Sequence, residues 1–418
     1  MTYGRVCIVG AGIVGSASAF ALARGGWDVT LVDSAEGPGL GTSFANGAQL
    51  SYSYVEPLAT PDALASLPKW LLDASSPLKW HPRMEFAHAC WLAQFTACCR
   101  PSMVKKTTEA LLALSFLSRD TLHQWLPELP DQEQLSFTQT GKLVIYRNEK
   151  SREHVQNQLN WQARMGCKQK IVSAQECIEL EPALAATGGG TIAFGVWTAE
   201  EEAIDAHTLS RALAQASGAQ CLYNCAIQRI ETAHGQVTAL ITRDKQRIEA
   251  DHFVIATGPD SNKLLRPLHI ALPIEPIRGF SITLPIIKPE AAPVVNITDT
   301  SRKTVHARLG NMLRSAGFAE LCGWNTQLNA ARIEALCQYV QATFPGACDL
   351  SQPHAWAGLR PTTPSGRPIV SGTPLRNLWL NTGHGSLGLT LAAGSANVLE
   401  KLMTGQTPTI PSTPYRYK

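Results

Sequence analysis

The stretch CIVGAGIVGSASAFALARGGWDVTLVD, Cys7–Asp33, decides how this protein begins to fold. An apolar run, Val6–Val9, reads as a strand. Gly10, Gly12 and Gly15 follow in the spacing G-x-G-x-x-G, with Ser16 next. The alanine-rich run Ile13–Arg24 reads as a helix, and Val29–Val32 as a second strand ending in Asp33. Strand, glycine turn, helix, strand and terminal acid together are the setting in which this spacing binds a dinucleotide. Gly10 permits the tight turn, Gly12 lets backbone N–H groups approach a pyrophosphate, and Gly15 lets the helix lie close on the strand. The helix N-terminus faces the phosphates with its partial positive charge. Asp33 stands where a carboxylate can accept hydrogen bonds from a ribose. A secretory signal, hinted at by Arg5 and the small residues Ala17 and Ala19, would need neither the spaced glycines nor the acid.

The chain has 418 residues, long enough for two to three domains or one large composite one. With 44 % hydrophobic and 17 % charged residues it suits a packed soluble core. A net charge of +3, with scattered basic residues, gives no argument for nucleic acid. The 11 cysteines include no C-x-x-C pair and read as reduced thiols in a cytosolic compartment. The histidines show no ligand spacing, so no metal is expected. No apolar run is long enough for a transmembrane helix. Residues 63–99 carry Trp70, Trp80 and Trp91 among Leu, Phe, Lys79 and Arg83. Two readings stay open there: an aromatic and basic surface for a membrane interface, or a helical excursion whose tryptophans pack onto the core.

Further along, 51–140 reads as mostly helical and 140–148 as a strand. Residues 153–166 and 204–217 read as helices, the latter capped by Asp205. Residues 250–262 read as a buried strand turning at Gly258, 328–344 as a helix, and 377–405 as strand, glycine-rich turn and helix. Candidate nucleotide contacts therefore fall at three separated places: the first turn, Ala256-Thr257-Gly258, and 382–388. A simple NAD domain keeps its contacts in one continuous stretch. Contacts spread over the whole sequence suit FAD, which is longer.

Three stretches carry a family resemblance. GTSFANGAQLSYSYVEP at 41–57 resembles the loop after the second strand in FAD-dependent D-amino acid dehydrogenases. GLRPTTPSGRPIV at 358–370 resembles a segment of the wider D-amino acid oxidase and glycine oxidase superfamily. NLWLNTGHGSLGLTLAAGS at 377–395 resembles the flavin-covering turn of the small subunit of bacterial D-amino acid dehydrogenase. The resemblance implies an α/β (α+β) fold, a Rossmann-like FAD domain interleaved with a substrate domain on a mostly antiparallel sheet. It implies an FAD part from 1–50, 140–260 and 355–405, and a substrate part from 51–139 and 261–354, with the Trp-rich excursion at about 63–99.

Carried across, the family pattern places Gly10, Gly12, Gly15, Asp33 and Ser34 on the ADP half of a non-covalently bound FAD. Thr42, Ser43, Asn46, Gly47, Gln49 and Leu50 lie along the ribityl chain and flavin edge, with Ile227, Gly258 and Gly358 as further cofactor contacts. Gly383, His384, Gly385, Ser386, Leu387 and Gly388 lie at the flavin pyrimidine. A helix starting after Gly385 would direct N–H groups at the negative charge of reduced flavin. His384 is either an added donor or a turn histidine bonded only to backbone. Arg360, in Gly358-Leu359-Arg360-Pro361, is implied to grip a substrate carboxylate, a task its planar fork suits; the alternative is a surface salt bridge. Tyr52 and Tyr54 either reach the site or pack outward.

This sequence departs from the family pattern at Arg302, at His306 and in Arg278-Gly279-Phe280, and lacks a glycine usual before Asp205. These departures leave the identity of the oxidised side chain open. The implied activity is oxidative deamination of D-amino acids by hydride transfer from Cα to flavin N5, with a quinone or other acceptor, oxygen remaining open. Alternatives are a dehydrogenase of D-proline or hydroxy-D-proline, or a flavoprotein subunit of a larger electron-transfer complex with partner subunits. A cytoplasmic place is implied, with a peripheral position on the inner face of a bacterial inner membrane as one option.

Overall fold

Alternation of buried Val, Ile and Leu with a glycine turn produces the first β-α-β unit much as the sequence dictates. Arg5–Val9 pairs in parallel with Asp28–Val32, and Ile13–Arg24 crosses between them. The computed structural model describes residues 3–65, 76–187 and 191–417. The first unit is the centre of a six-stranded sheet in the order Ile369–Gly372, Leu378–Thr382, His252–Ile255, Arg5–Val9, Asp28–Val32, Gln220–Leu222. All neighbours run parallel except the pair at the Ile369–Gly372 edge. Its strands are near-continuous apolar runs, as expected for a parallel sheet covered on both faces. Gly388–Met403, Ile13–Arg24 and Ala206–Ala216 pack among the covering helices, with Asp205 capping the last through His207 and Thr208 N–H.

A nine-stranded, mostly antiparallel sheet forms the second layer. Its long strands are Glu275–Pro285, Met312–Leu321 and His354–Thr362. Lys142–Tyr146, Gln169–Ser173 and Phe194–Thr198 also belong to this sheet. The sequence reading grouped those three, and His354–Thr362, with the nucleotide part. The structure instead assigns them to the second sheet, because their ladder partners are far away in sequence and leave no local trace.

The helices expected at 153–166 and 328–344 form at Arg152–Ala163 and Ala330–Thr343. Within 51–140, the helices Phe86–Cys98 and Pro101–Trp125 are preceded by a short strand, Leu78–Trp80, parallel to Met312–Leu321. That strand docks the Trp-rich excursion on the second sheet. Trp91 is buried, donates Nε1–H to the Thr362 carbonyl at 2.9 Å and stacks on Phe95. Trp80 is half-buried, with its Nε1 on His88 Nε2 at 3.1 Å. Both indoles thus take the packing role; Trp70 lies outside the described residues.

Candidate active site

The two sheets meet along a cavity of about 870 Å3, toward the upper end of the range cofactor and small-molecule sites span, about 300–1,000 Å3. One wall begins at the glycine turn. Gly10 has φ +104°, and a Cβ at Gly15 would sit 1.7 Å from the Gly10 carbonyl oxygen. Only hydrogen fits where the helix lies on the strand. At Gly12 an added Cβ would meet Ser43 Oγ alone, at 3.5 Å, so its backbone faces open cavity. Asp33 Oδ2 accepts from Ala11 N at 2.6 Å and Oδ1 from Ala35 N at 2.8 Å. The carboxylate therefore also ties the turn together. Ser34, Ile227 and Gly258 line the same wall.

The 41–51 loop is stitched to the first helix and to the second sheet by its polar side chains. Ser43 Oγ accepts from Ile13 N, and Thr42 Oγ1 donates to the Leu359 carbonyl at 2.6 Å. Asn46 Oδ1 accepts from Ala48 N, bracing the left-handed Ala48 at φ +57°. Gln49 Nε2 donates to the carbonyls of Ile297 and His306. Thr42, Ser43, Asn46, Gly47 and Gln49 all line the cavity, yet the four side chains among them bond the protein itself. Leu50 is a correction: it is fully buried in the core against the first helix and lines no cavity, since alternation along the Gln49–Leu50 strand turns it away.

At the far end, Gly383, His384, Gly385, Ser386, Leu387 and Gly388 line the cavity ahead of the Gly388–Met403 helix. Gly383 and Gly385 are left-handed, with φ +80° and +57°. The His384 ring is buried with Nε2 on Ser395 Oγ at 3.0 Å, and burial pushes its pKa down to about 3. The buried ring is neutral and its Nε2 is engaged by a core serine side chain, not by backbone alone as the turn-histidine reading has it. Tyr54 lines the cavity, its ring beneath Lys142 Nζ at 4.4 Å from the centroid, and burial raises its phenol pKa. Tyr52 is the second correction. Its OH donates to Glu202 Oε2 at 2.8 Å within the core and it does not line the cavity, because a bonded phenol on a buried carboxylate is held inward.

The second sheet supplies the opposite wall. Gly279 and Gly358 are register partners on the Glu275–Pro285 and His354–Thr362 strands. A Cβ on Gly358 would lie 1.9 Å from the Trp356 ring, and one on Gly279 would lie 2.3 Å from Arg360 Nη2. The glycine pair is thus a floor over which an indole and a guanidinium fold. Opposite Gly279 the Met312–Leu321 strand carries a bulge: Arg278 pairs with Glu320 but Phe280 with Gly317. Phe318, at the bulge, is left-handed with φ +62°, and its carbonyl accepts from Arg360 Nη1 at 2.8 Å. A non-glycine residue in that conformation is strained and persists where its surroundings over-determine it. Among the described residues no carboxylate pairs with Arg360, and burial pulls its pKa down to about 10. It is a cation aimed at the cavity and fixed by one carbonyl.

The other arginines singled out in the sequence, Arg278 and Arg302, are occupied. Arg278 is buried on Glu320, which also takes Arg332, and Arg302 lies near Asp299 with Nη1 on Thr343 Oγ1. Phe318, Trp356 and Lys142 were not marked by the sequence, and Gly279 stood out there only within a departure from the family pattern. Arg278-Gly279-Phe280 carried a signal, a glycine inside a strand, which often marks a close approach.

A family model described as FAD dependent oxidoreductase, DAO, matches residues 5–402. The chain belongs to this family. D-amino acid dehydrogenase 2 of Ralstonia nicotianae is 41 % identical over 433 residues, covering 98 % of this chain and 99 % of that protein. D-amino acid dehydrogenase 2 of Pseudomonas aeruginosa is 40 % identical, covering 98 % and 97 %. Among solved structures, glycine oxidase from Geobacillus kaustophilus superposes with a TM-score of 0.77 at 19 % identity, covering 99 % of each chain, and glycine oxidase from Bacillus cereus with 0.74 at 20 %, covering 97 % and 96 %. These share the fold. The cavity fits the family's cofactor: an open glycine turn at one end, a helix N-terminus at the other, and the buried, unpartnered Asn381 Oδ1 between strand and turn. Among the described residues no helix is long and apolar enough to cross a membrane.

Proposed function

We propose that this protein oxidises D-amino acids to imino acids, which hydrolyse to 2-oxo acids and ammonia, and passes the electrons to a quinone-type acceptor. The observation that carries the reading is the Arg360 guanidinium in the cavity wall, without a carboxylate partner among the described residues, supported by full-length relatives named D-amino acid dehydrogenase. FAD, when bound without a covalent link, supplies the two-electron acceptor for hydride from Cα. The glycine turn, Asp33 and Ser34 hold its ADP half, and the 41–51 loop with the 383–388 turn holds the flavin half.

Arg360 takes the substrate carboxylate in a two-pronged contact and, with Phe318 fixing one nitrogen, leaves little freedom to the bound molecule. Leu58, Leu78, Ile277, Phe318 and Trp356 give the adjoining wall its apolar character and exclude water. The N-terminal end of the Gly388–Met403 helix contributes positive potential where charge develops. The substrate amine reacts neutral, so no strong base is demanded of the protein.

The acceptor assignment rests on the Phe86–Cys98 helix. It carries no Asp, Glu, Lys or Arg, and Phe86, Ala89, Ala93 and Ala97 on its outer side are exposed, next to the fully exposed Met84. Arg100, Lys105 and Lys106 follow at its end and are exposed. An uncharged outer face beside a basic end suits an anionic lipid surface. The test is oxidation of a panel of D- and L-amino acids, with and without a ring, using a quinone or dye acceptor. Turnover of acyclic D-amino acids supports the reading. Turnover confined to D-proline-like substrates would redirect it to cyclic imino acids, and none at all would sink it.

A further inference from the structure

Of the charged residues that line the cavity and have no part in the mechanism above, one is buried. Lys142, at the start of the Lys142–Tyr146 strand, is 2 % exposed and lines the cavity. Its Nζ donates to Ser51 Oγ at 2.7 Å and lies over the Tyr54 ring. Ser51 N in turn donates to Thr390 Oγ1, two residues beyond Gly388. Lys142 is therefore built into the end of the cavity formed by the 41–51 loop and the N-terminus of the Gly388–Met403 helix, away from Asp33.

Burying an ammonium is costly unless a negative charge answers it. Among the described residues no carboxylate lies within ion-pair distance of Lys142. Glu201 is near enough to be felt and is itself buried; its Oε1 accepts from Ser53 N at 2.7 Å and its Oε2 has no partner. Burial lowers the Lys142 pKa and raises that of Glu201, each partly opposed by the other. Glu202, beside it, is already satisfied by Tyr52, His123 and Gln139. The protein thus keeps a desolvated cation at one end of a cofactor cavity with incomplete counter-charge.

We infer that Lys142 is the electrostatic anchor for the negative charge that the flavin ring gains on reduction, and so sets the cofactor's reduction potential. The inference rests on the reading that the flavin half lies between the 41–51 loop and the 383–388 turn. In the oxidised protein Glu201 supplies part of the counter-charge. In the reduced protein the anionic ring supplies it more directly. The Gly388–Met403 helix end acts on the same charge with about half an elementary unit, so a whole unit from Lys142 is the larger contribution at comparable distance.

The experiment compares the FAD-loaded wild type with Lys142→Met and Lys142→Arg. The potential of the bound flavin is measured by equilibration with redox dyes, and the flavin N3–H ionisation by absorbance against pH. Lys142→Met should bind the reduced ring at least about tenfold less favourably relative to the oxidised ring, a fall of about 30 mV for a two-electron couple. Its N3–H should ionise at higher pH than in wild type. Lys142→Arg, which keeps the charge, should recover most of both shifts. If Lys142→Met loads FAD fully with unchanged potential and N3–H ionisation, the inference is overturned. Lys142→Gln keeps a hydrogen-bonding end for Ser51 and repeats the test should the methionine variant not load FAD. If neither neutral variant retains FAD, the role is structural and the inference falls. Wild type without flavin would instead overturn the cofactor reading.

Discussion

The end of the cavity proposed for the nucleotide and the end proposed for the amino acid are built in opposite ways. At the nucleotide end, Gly10, Gly12, Gly15 and Asp33 come from one unbroken β-α-β unit and need only local geometry. At the other end Arg360 is held by Phe318 from another strand, over Gly279 from a third, with Lys142 arriving from a distant part of the same sheet. One end is written as a motif. The other is a meeting of strands, and its key residue is set by a neighbour's missing side chain.

The contrast can be broken most sharply at Arg360. Losing a bidentate charged contact costs about 2–5 kcal/mol, so Arg360→Ala should slow anaerobic flavin reduction at low substrate by roughly 30- to 5,000-fold. The flavin spectrum should stay near normal, and Arg360→Lys should recover only part. Reduction at the wild-type rate would make Arg360 a structural arginine. Next comes the floor beneath it. In Gly279→Ala the new methyl would collide with Arg360 Nη2. A displacement on the order of 1 Å at a positioning group can cost about a hundredfold in rate, while FAD content is retained. Equal kinetics would show that the guanidinium does not need this floor.

At the nucleotide end, Asp33→Ala removes a carboxylate that accepts from Ala11 and Ala35 N–H and faces the cavity. FAD affinity should fall by about 1.5–3 kcal/mol, with turnover of the loaded fraction much less affected. Titrating apoprotein with FAD measures the first and stopped-flow reduction of the loaded protein the second. A loss of turnover without loss of affinity would erase the division between the ends.

The smallest effect, taken per pH unit, is acid sensitivity, which sits away from the glycine turn, at the 383–388 turn and in the second sheet. Burial lowers the pKa of His384 to about 3 and of His306 to about 4, against about 6.5 in the unfolded state. The unfolded state binds these protons first. Stability from each is full above about pH 6.5 and is lost as pH falls toward the folded value, by up to about 1.4 kcal/mol per unit for each ring. Denaturant melts from pH 7 to 4.5 should show the decline, and His306→Gln should lessen its slope. A flat profile would mean these rings are protonated in the folded state.

The sequence carried the periodic elements well. The Asp205-capped helix, the Ala330–Thr343 helix and the closing strand-turn-helix lie within a few residues of their expected places. It misassigned Lys142–Tyr146, Gln169–Ser173, Phe194–Thr198 and His354–Thr362, because a strand does not name its partners. Among the site residues, Tyr52 and Tyr54 are two apart in a loop and look alike in sequence. Only the buried Glu202 separates them, drawing one into the core and leaving the other on the cavity.

What the sequence by itself determined is therefore the local part: the glycine turn with its acid, the helix that follows, and the second glycine turn ahead of the last long helix. Each depends on backbone conformations and close approaches that glycine permits within a few residues. Only the tertiary structure decided that, among the described residues, Arg360 lacks a carboxylate while Arg278 has one. Only it gave Gly279 and the bulge at Phe318 a purpose, and put a buried lysine in the cavity wall. Those facts depend on which strands lie side by side and which charges find partners. Burial makes an unpaired charge costly and so chemically informative, and burial is a property of the assembled fold.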